Sequence, residues 1–240
     1  HLSALRSNIE MDTLKRPEVI FEDNQIIVAV KPAGVLSQAD DSGMPDMLTM
    51  LKAYIKEKYN KPGNVYLGLL HRLDRPVSGV MVFARTSKAA SRISEQIRKR
   101  EMTKIYRAVV EGEMDETEGR LENWCTKDGK HNITTVSDRP LNSESKKAAL
   151  RYRLIDRAEY KGKMISLIKV ELETGRSHQI RAQMAHCGHP LLGDAKYGTG
   201  LYKGDICLQS CLIGFKHPVK NEYIEFEMPL QMEGPWASFA

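Results

Sequence analysis

Five consecutive segments of the chain carry the pattern of β-strands with no helical period between them. Lys104 to Val110 alternates as a half-buried strand, and the acidic stretch EGEMDETEG then reads as a turn region. Beyond it, Leu121 to Trp124, His131 to Val136, Lys147 to Leu154 and Met164 to Leu172 read as strands, the last two separated by the charged turn DRAEYKGK. Parallel neighbours need a crossover of a dozen or more residues, usually a helix, whereas antiparallel neighbours need only a turn. The run therefore constrains the chain to α+β with a mixed, largely antiparallel sheet, and a doubly wound parallel sheet is disfavoured.

The remaining segments fit around that sheet. VIFEDNQIIVAVKPAG reads as two short strands about Glu22-Asp23-Asn24, ended by Pro32 and Gly34. Met47, Leu48, Leu51, Tyr54, Ile55 and Tyr59 recur at helical spacing, and Asn60 to Gly63 stops that helix. LGLLHRLDRPVSG is irregular, GVMVFA is a buried strand, and Thr86 or Ser87 caps a helix over SKAASRISEQIRKR. Ser177 to Cys187 reads as a short helix with Gly188 at its end, GHPLLGDAKYGTG as a loop, and Ile206 to Gly214 and Tyr223 to Met228 as closing strands. The expected organisation is a polar leader over 1–17, one domain over 18–232 and a tail over 233–240.

Composition excludes several classes. With 240 residues, 41% of them apolar and 28% charged, the chain is neither disordered nor collagen-like. Its apolar runs fall far short of the roughly 20 residues that cross a bilayer. The leader lacks a basic, then apolar, then small-residue order, so no secretory signal is expected and the chain is expected in the cytosol. A first residue that is His and not Met points to a longer gene product. Cys125, Cys187, Cys207 and Cys211 have no zinc spacing and read as reduced thiols. His186, His189 and His217 make no persuasive ligand set, so no metal is expected. The formal charge is only +5, yet Arg85 to Arg107 holds eight basic residues against two acids. Arg92, Lys99 and Arg100 lie on the solvent face of that helix, either as a solvated surface or as a wall for phosphates.

Two segments concentrate chemistry. His71, Arg72 and Asp74 share one turn before a buried strand; an Asp among arginines is either a surface ion pair or a carboxylate kept ionised for nucleophilic work. TGRSHQIR gathers Arg176, Ser177, His178, Gln179 and Arg181 at the start of the short helix, a surface suited to an anion or a base. HExxH, GxGxxG, a P-loop and a GxSxG elbow are all missing, which removes the usual sequence warrants for zinc proteolysis, dinucleotide binding, NTP hydrolysis and serine hydrolysis.

These blocks together resemble the RluA-type pseudouridine synthases. HRLDRPVSGVMVFART is similar to the family's HRLDxxTSG active-site motif and KIYRAVVEG to its tyrosine-bearing strand. GRSHQIRAQMAHCGHPLLGDAKYG is similar to its third motif and KPAG to its opening one, in family order over about 170 residues. Val77 stands where the family usually has Thr, which puts one loop hydrogen bond in doubt and leaves the carboxylate's role intact.

The resemblance implies the pseudouridine synthase fold with an active-site cleft, with 18–232 as its catalytic domain. It implies isomerisation of a uridine in structured RNA to pseudouridine. Asp74 is the implied catalytic aspartate, by attack on the ribose or by proton abstraction that forms a glycal. Arg181 matches the basic residue that pairs with it, and Tyr106 the tyrosine that stacks on the target base. Ile180 or a neighbouring apolar side chain would close the other side of the ring, and Arg72 would replace the flipped nucleotide. His71, Arg176, His178 and Gln179 are expected to contact RNA, together with Arg92, Lys99 and Arg100. No cofactor, membrane or obligate protein partner is expected, and a monomer is. Large-subunit ribosomal RNA is the expected substrate and transfer RNA the alternative. An N-glycosidase, which would need a positioned water and often a second carboxylate, and a noncatalytic RNA-binding or ribosome-assembly module are the rival readings.

Overall fold

A computed structural model describes residues 17–239, so most of the expected leader and the last residue lie outside the described part. The chain divides into two compact units. One comprises the residues up to Thr103 with Leu212–Met228, the other Lys104–Cys211 with the residues from Pro229 on.

In the first unit, β1 (Glu18–Glu22), β2 (Ile26–Lys31) and β4 (Ser78–Ala84) lie side by side, with β2 antiparallel to both neighbours. β3 (Gly68–Leu69) adds a short pairing to the end of β4, and β11 (Tyr223–Glu227) pairs antiparallel with the second half of β10 (Leu208–Lys216). β2 and β4 are buried along their whole length, which is why IIVAV and GVMVFA read as continuous apolar runs and not as alternating ones. Ile26, Val28, Val80 and Val82 form one core with Ile93, Met102, Ile213 and Phe215. Helix α1 (Met47–Lys58) buries Met47, Leu51 and Ile55, and α2 (Ser87–Arg98) buries Ala89 and Ile93.

In the second unit the strand order is β5-β9-β8-β6-β7, from β5 (Thr103–Glu111), β9 (Lys163–Leu172), β8 (Lys146–Tyr160), β6 (Glu118–Asp128) and β7 (Ile133–Ser137). Every one of these pairings is antiparallel, as the run of helix-free segments requires. β8 extends to Tyr160, and the turn expected over DRAEYKGK narrows to Lys161 and Gly162, both at positive φ. Val109, Ile165, Leu167, Leu192 and Cys207 pack with Trp236, so the segment set apart as a tail carries a 3-10 helix, Gly234–Phe239, with its tryptophan in the core. Helix α3 (Gln179–His186) is the short helix of the third motif. No described helix is long and apolar enough to cross a membrane.

Candidate active site

The aspartate loop is tied down by groups distant in sequence. Asp74 is half-buried and opens a turn in which its carbonyl accepts from the Val77 amide at 2.9 Å. The Ser37 hydroxyl accepts from the Leu73 amide and donates to the Leu73 carbonyl, both at 3.0 Å, so one side chain stands in for a strand partner. The Arg75 carbonyl accepts from the Gly34 amide at 2.8 Å and from Lys31 Nζ at 3.0 Å. His71 Nε2 accepts from the Val82 amide at 3.0 Å, which leaves that nitrogen without a proton and gives the ring a structural bond. Val77 is buried at 2% exposure, where its apolar side chain needs no partner. Arg72 is exposed beside Asp74.

Lys31 is the unusual member of this loop. It has no exposed surface, and its ammonium donates to the carbonyls of Pro32, Val35 and Arg75 at 3.1, 2.5 and 3.0 Å. Burial pushes its pKa down to about 7, against the pull of the Asp74 charge and with the push of Arg75. Lys31 and Ser37 were not marked by sequence as site residues, although Lys31 opens the KPAG block.

The second concentration of polar groups surrounds α3. The helix begins after His178, whose φ of +53° is left-handed, and it buries six residues in succession from Gln179 to Met184. Such a helix needs an internal partner for each polar side chain. The Gln179 amide accepts from the Thr174 hydroxyl and the Arg176 amide and donates to the Ala149 carbonyl, at 2.8, 2.9 and 3.0 Å. Arg181, 4% exposed, meets Asp194 through Nε and Nη2, each at 2.8 Å. The Tyr197 ring lies 5.3 Å from the guanidinium, and its hydroxyl is 2.9 Å from His178 Nδ1 and accepts from the Thr134 amide at 2.8 Å. Burial opposes ionisation of Asp194, but Arg181 and the amides of Lys196 and Tyr197 outweigh it, so the carboxyl stays below its ordinary range.

Tyr106 is buried on β5 at 9% exposure, and Ile180 is 4% exposed. Arg176 Nε reaches back to the Lys147 carbonyl at 2.8 Å. Thus Asp74, His71 and Arg72 belong to the first unit, while Tyr106, Arg176, His178, Gln179, Ile180 and Arg181 belong to the second. Arg92, Lys99 and Arg100 are exposed at and after α2, with Lys99 3.0 Å from Glu95 and Arg92 bonded to the Pro218 carbonyl. Arg85, counted with them in sequence, turns inward instead: it donates to the Asp23 carbonyl at 2.5 Å and stacks 4.8 Å over Tyr59. Among the described residues, no group of three metal-ligating side chains gathers.

The sequence profile described as RNA pseudouridylate synthase matches residues 25–186. The chain belongs to that family, within its RluA type, and is an RNA pseudouridine synthase. It is 32% identical over 232 residues to ribosomal large subunit pseudouridine synthase D of Zymomonas mobilis, covering 90% of this chain and 70% of that one. It is 30% identical over 224 residues to ribosomal large subunit pseudouridine synthase C of Yersinia pestis, covering 88% and 65%. The structure of human RNA pseudouridylate synthase domain containing 4 shares the fold, with a TM-score of 0.74 at 18% identity over 95% of this chain and 94% of that one.

Proposed function

We propose that the protein isomerises specific uridines of large-subunit ribosomal RNA to pseudouridine, with Asp74 as the catalytic carboxylate. The N1–C1′ bond of the uridine breaks, C5 bonds to C1′, and the C5 proton is lost as N1 gains one, so no oxidant, reductant or external group is consumed. The observation that carries the Asp74 assignment is its loop: an exposed arginine precedes it, and Ser37, Lys31 and Gly34 fix the backbone on either side. A carboxylate whose backbone is fixed before substrate arrives is suited to attack or proton abstraction without further ordering. Tyr106 is the group that packs on the target base, and Ile180 the apolar side chain for its other face. Arg181 is the cation that accompanies the reacting carboxylate. A uridine in a paired helix hides its glycosidic bond, so the base must leave the stack, and Arg72 is the side chain that takes its place.

Ribosomal RNA is preferred to transfer RNA because the relatives in two bacterial species are named for the large ribosomal subunit. In this reading the chain works in the cytoplasm as a monomer without a cofactor, and Arg92, Lys99 and Arg100 contact phosphates. The test is tritium release from RNA carrying uridine labelled at C5. Large-subunit RNA is expected to release label and transfer RNA to release none; release from transfer RNA alone would overturn the substrate. The Asp74→Asn protein is expected to fall to background while still binding RNA, and a wild-type rate would remove Asp74 from the mechanism.

A further inference from the structure

Asp194 has no part in the reading above, yet it is a buried carboxylate bonded directly to one of the assigned residues, Arg181. Its side chain has no exposed surface. Gly193, at φ +76°, leaves no room for a side chain, since a Cβ there would fall 2.4 Å from the Asp205 carbonyl oxygen. A Cβ on Gly198 would fall 2.5 Å from the carbonyl oxygen of Asp194 itself. Between these two glycines, Asp194 Oδ1 accepts from the amides of Lys196 and Tyr197 at 2.9 and 3.2 Å. The backbone is closely packed at both glycines that flank this turn.

What the carboxylate holds is Arg181. Its two oxygens take Nε and Nη2 side-on, the fork-to-fork geometry that fixes a guanidinium in plane as well as in place. The Tyr197 ring covers one face of the same group, and the Tyr197 hydroxyl is itself tied to Thr134 and His178. Two of the five N–H groups of the guanidinium are engaged by Asp194, and that engagement dictates the direction of the Nη1 edge. A turn would not require this. An asparagine accepts the same two amides as well as an aspartate does, whereas only a carboxylate pairs bidentately with arginine.

We propose that Asp194 is a positioning residue, which fixes the orientation of the Arg181 guanidinium for its part in the reaction, with Tyr197 completing the grip. The inference rests on the assignment of Arg181 made above. A displacement of about 1 Å in a group that organises the reacting atoms costs on the order of 100-fold in rate.

The test compares Asp194→Asn and Asp194→Glu in steady-state tritium release. Asp194→Asn is expected to lower kcat about 100-fold with the KM for RNA unchanged. Asp194→Glu, which keeps the charge on a longer arm, is expected to recover part of that loss. A role confined to the turn predicts the reverse order, with Asn near wild type and Glu the poorer, and that order would overturn the proposal. If Asp194→Asn does not fold, Tyr197→Phe takes its place, since it keeps the ring but loses the bonds to His178 and Thr134. A drop in its kcat at constant KM supports the grip, and wild-type kinetics there overturns it. Asp74→Asn is assayed alongside. If it stays active the functional reading fails and the proposal with it; if it is dead while Asp194→Asn is fully active, the proposal alone fails.

Discussion

Lys31 ends in a cage of three carbonyls, and an ammonium has the three N–H groups that such a cage requires. The neutral amine has two, and its lone pair would face a carbonyl oxygen. Burial nevertheless draws the pKa down to about 7 from the 10.5 of an ordinary lysine, with Asp74 and Arg75 the charges that face it. Between those two values the unfolded chain holds a proton that the folded one has given up, so this group makes folding stability rise with pH across that window. Below about 7 both states carry the proton, and the slope from this residue vanishes. Replacement by methionine removes the slope and leaves three carbonyls without their donor, at about 1–3 kcal/mol. Urea unfolding of Lys31→Met is therefore expected to show a lower midpoint than wild type, with the gap widening as pH rises from about 7 towards 10.5. A gap that stays constant across that range would show that Lys31 keeps its proton throughout. Asp74, Tyr106 and Arg181 were singled out in the sequence because their positions match those to which the resembled family's motifs give a role. Lys31, Ser37 and Asp194 were not, because their roles are defined by partners 13 to 44 residues away. For Asp194 the usable signal was the pair of glycines around it, at positions where no side chain fits.

At the scale of elements, the caps and the turns decide what the sequence could reveal. Of the two caps the sequence offered for α2, Thr86 and Ser87, Thr86 is the one used, accepting from the Ala89 amide at 3.0 Å. Asp46 caps α1 in the same manner, accepting from the Thr49 amide at 2.9 Å, but a lone Asp in a polar loop gave no reason to choose it. Asp46→Ala is expected to cost about 1 kcal/mol in denaturant unfolding, and Asp46→Asn to restore most of it. A silent alanine variant would mean that the Leu36–Asp46 bridge and not the cap holds the start of the helix. β8 runs six residues past its expected end at Leu154. Its outer third, Asp156 to Tyr160, is charged and mostly exposed, so it carries the composition of a turn while keeping the ladder to β9. Pairing there is set by backbone register past the shift between Leu154 and Asp156, and side-chain composition cannot report it. Glu173 lies just past the end of β9. It accepts from Arg120 and Arg151 at 2.8–3.2 Å, and the hydrogen bonds from these arginines draw its carboxyl down to about 2. A depressed carboxyl stabilises the fold above its ordinary pKa of 4.5 and loses that contribution as pH falls towards 2. The side chains are solvated, so the whole effect is expected to stay within about 1 kcal/mol, read as a smaller acid-induced loss of stability in Glu173→Gln than in wild type.

For the molecule as a whole, the formal charge of +5 conceals a stretch that carries more than the total, and the structure divides that stretch by use. Arg85 is turned inward against Glu22, Asp23 and Tyr59, and Lys104 is buried enough to lower its pKa. Arg98, Lys99 and Arg100 are exposed, and Glu95 pairs with Arg98 and Lys99 at surface distances that salt readily screens. Lys88 and Arg92 are exposed as well, and these outward-facing groups can meet a polyanion without uncovering buried surface. Each phosphate contact to single-stranded nucleic acid adds about 0.7 to the slope of log affinity against log salt, and to a duplex about 0.9. The double variant Lys99→Glu, Arg100→Glu is therefore expected to bind RNA more weakly at every salt concentration and to flatten that slope by about 1.5. Filter binding over a salt series measures both quantities. An unchanged slope would mean that these side chains are a solvated helix face and that the phosphates are held elsewhere. The contrast with Asp194 is one of physical kind, since a surface lysine contributes through a screened field and changes affinity, whereas a buried carboxylate contributes through geometry and changes rate. Salt should therefore scale the loss in the first variant and leave the kcat loss in Asp194→Asn untouched.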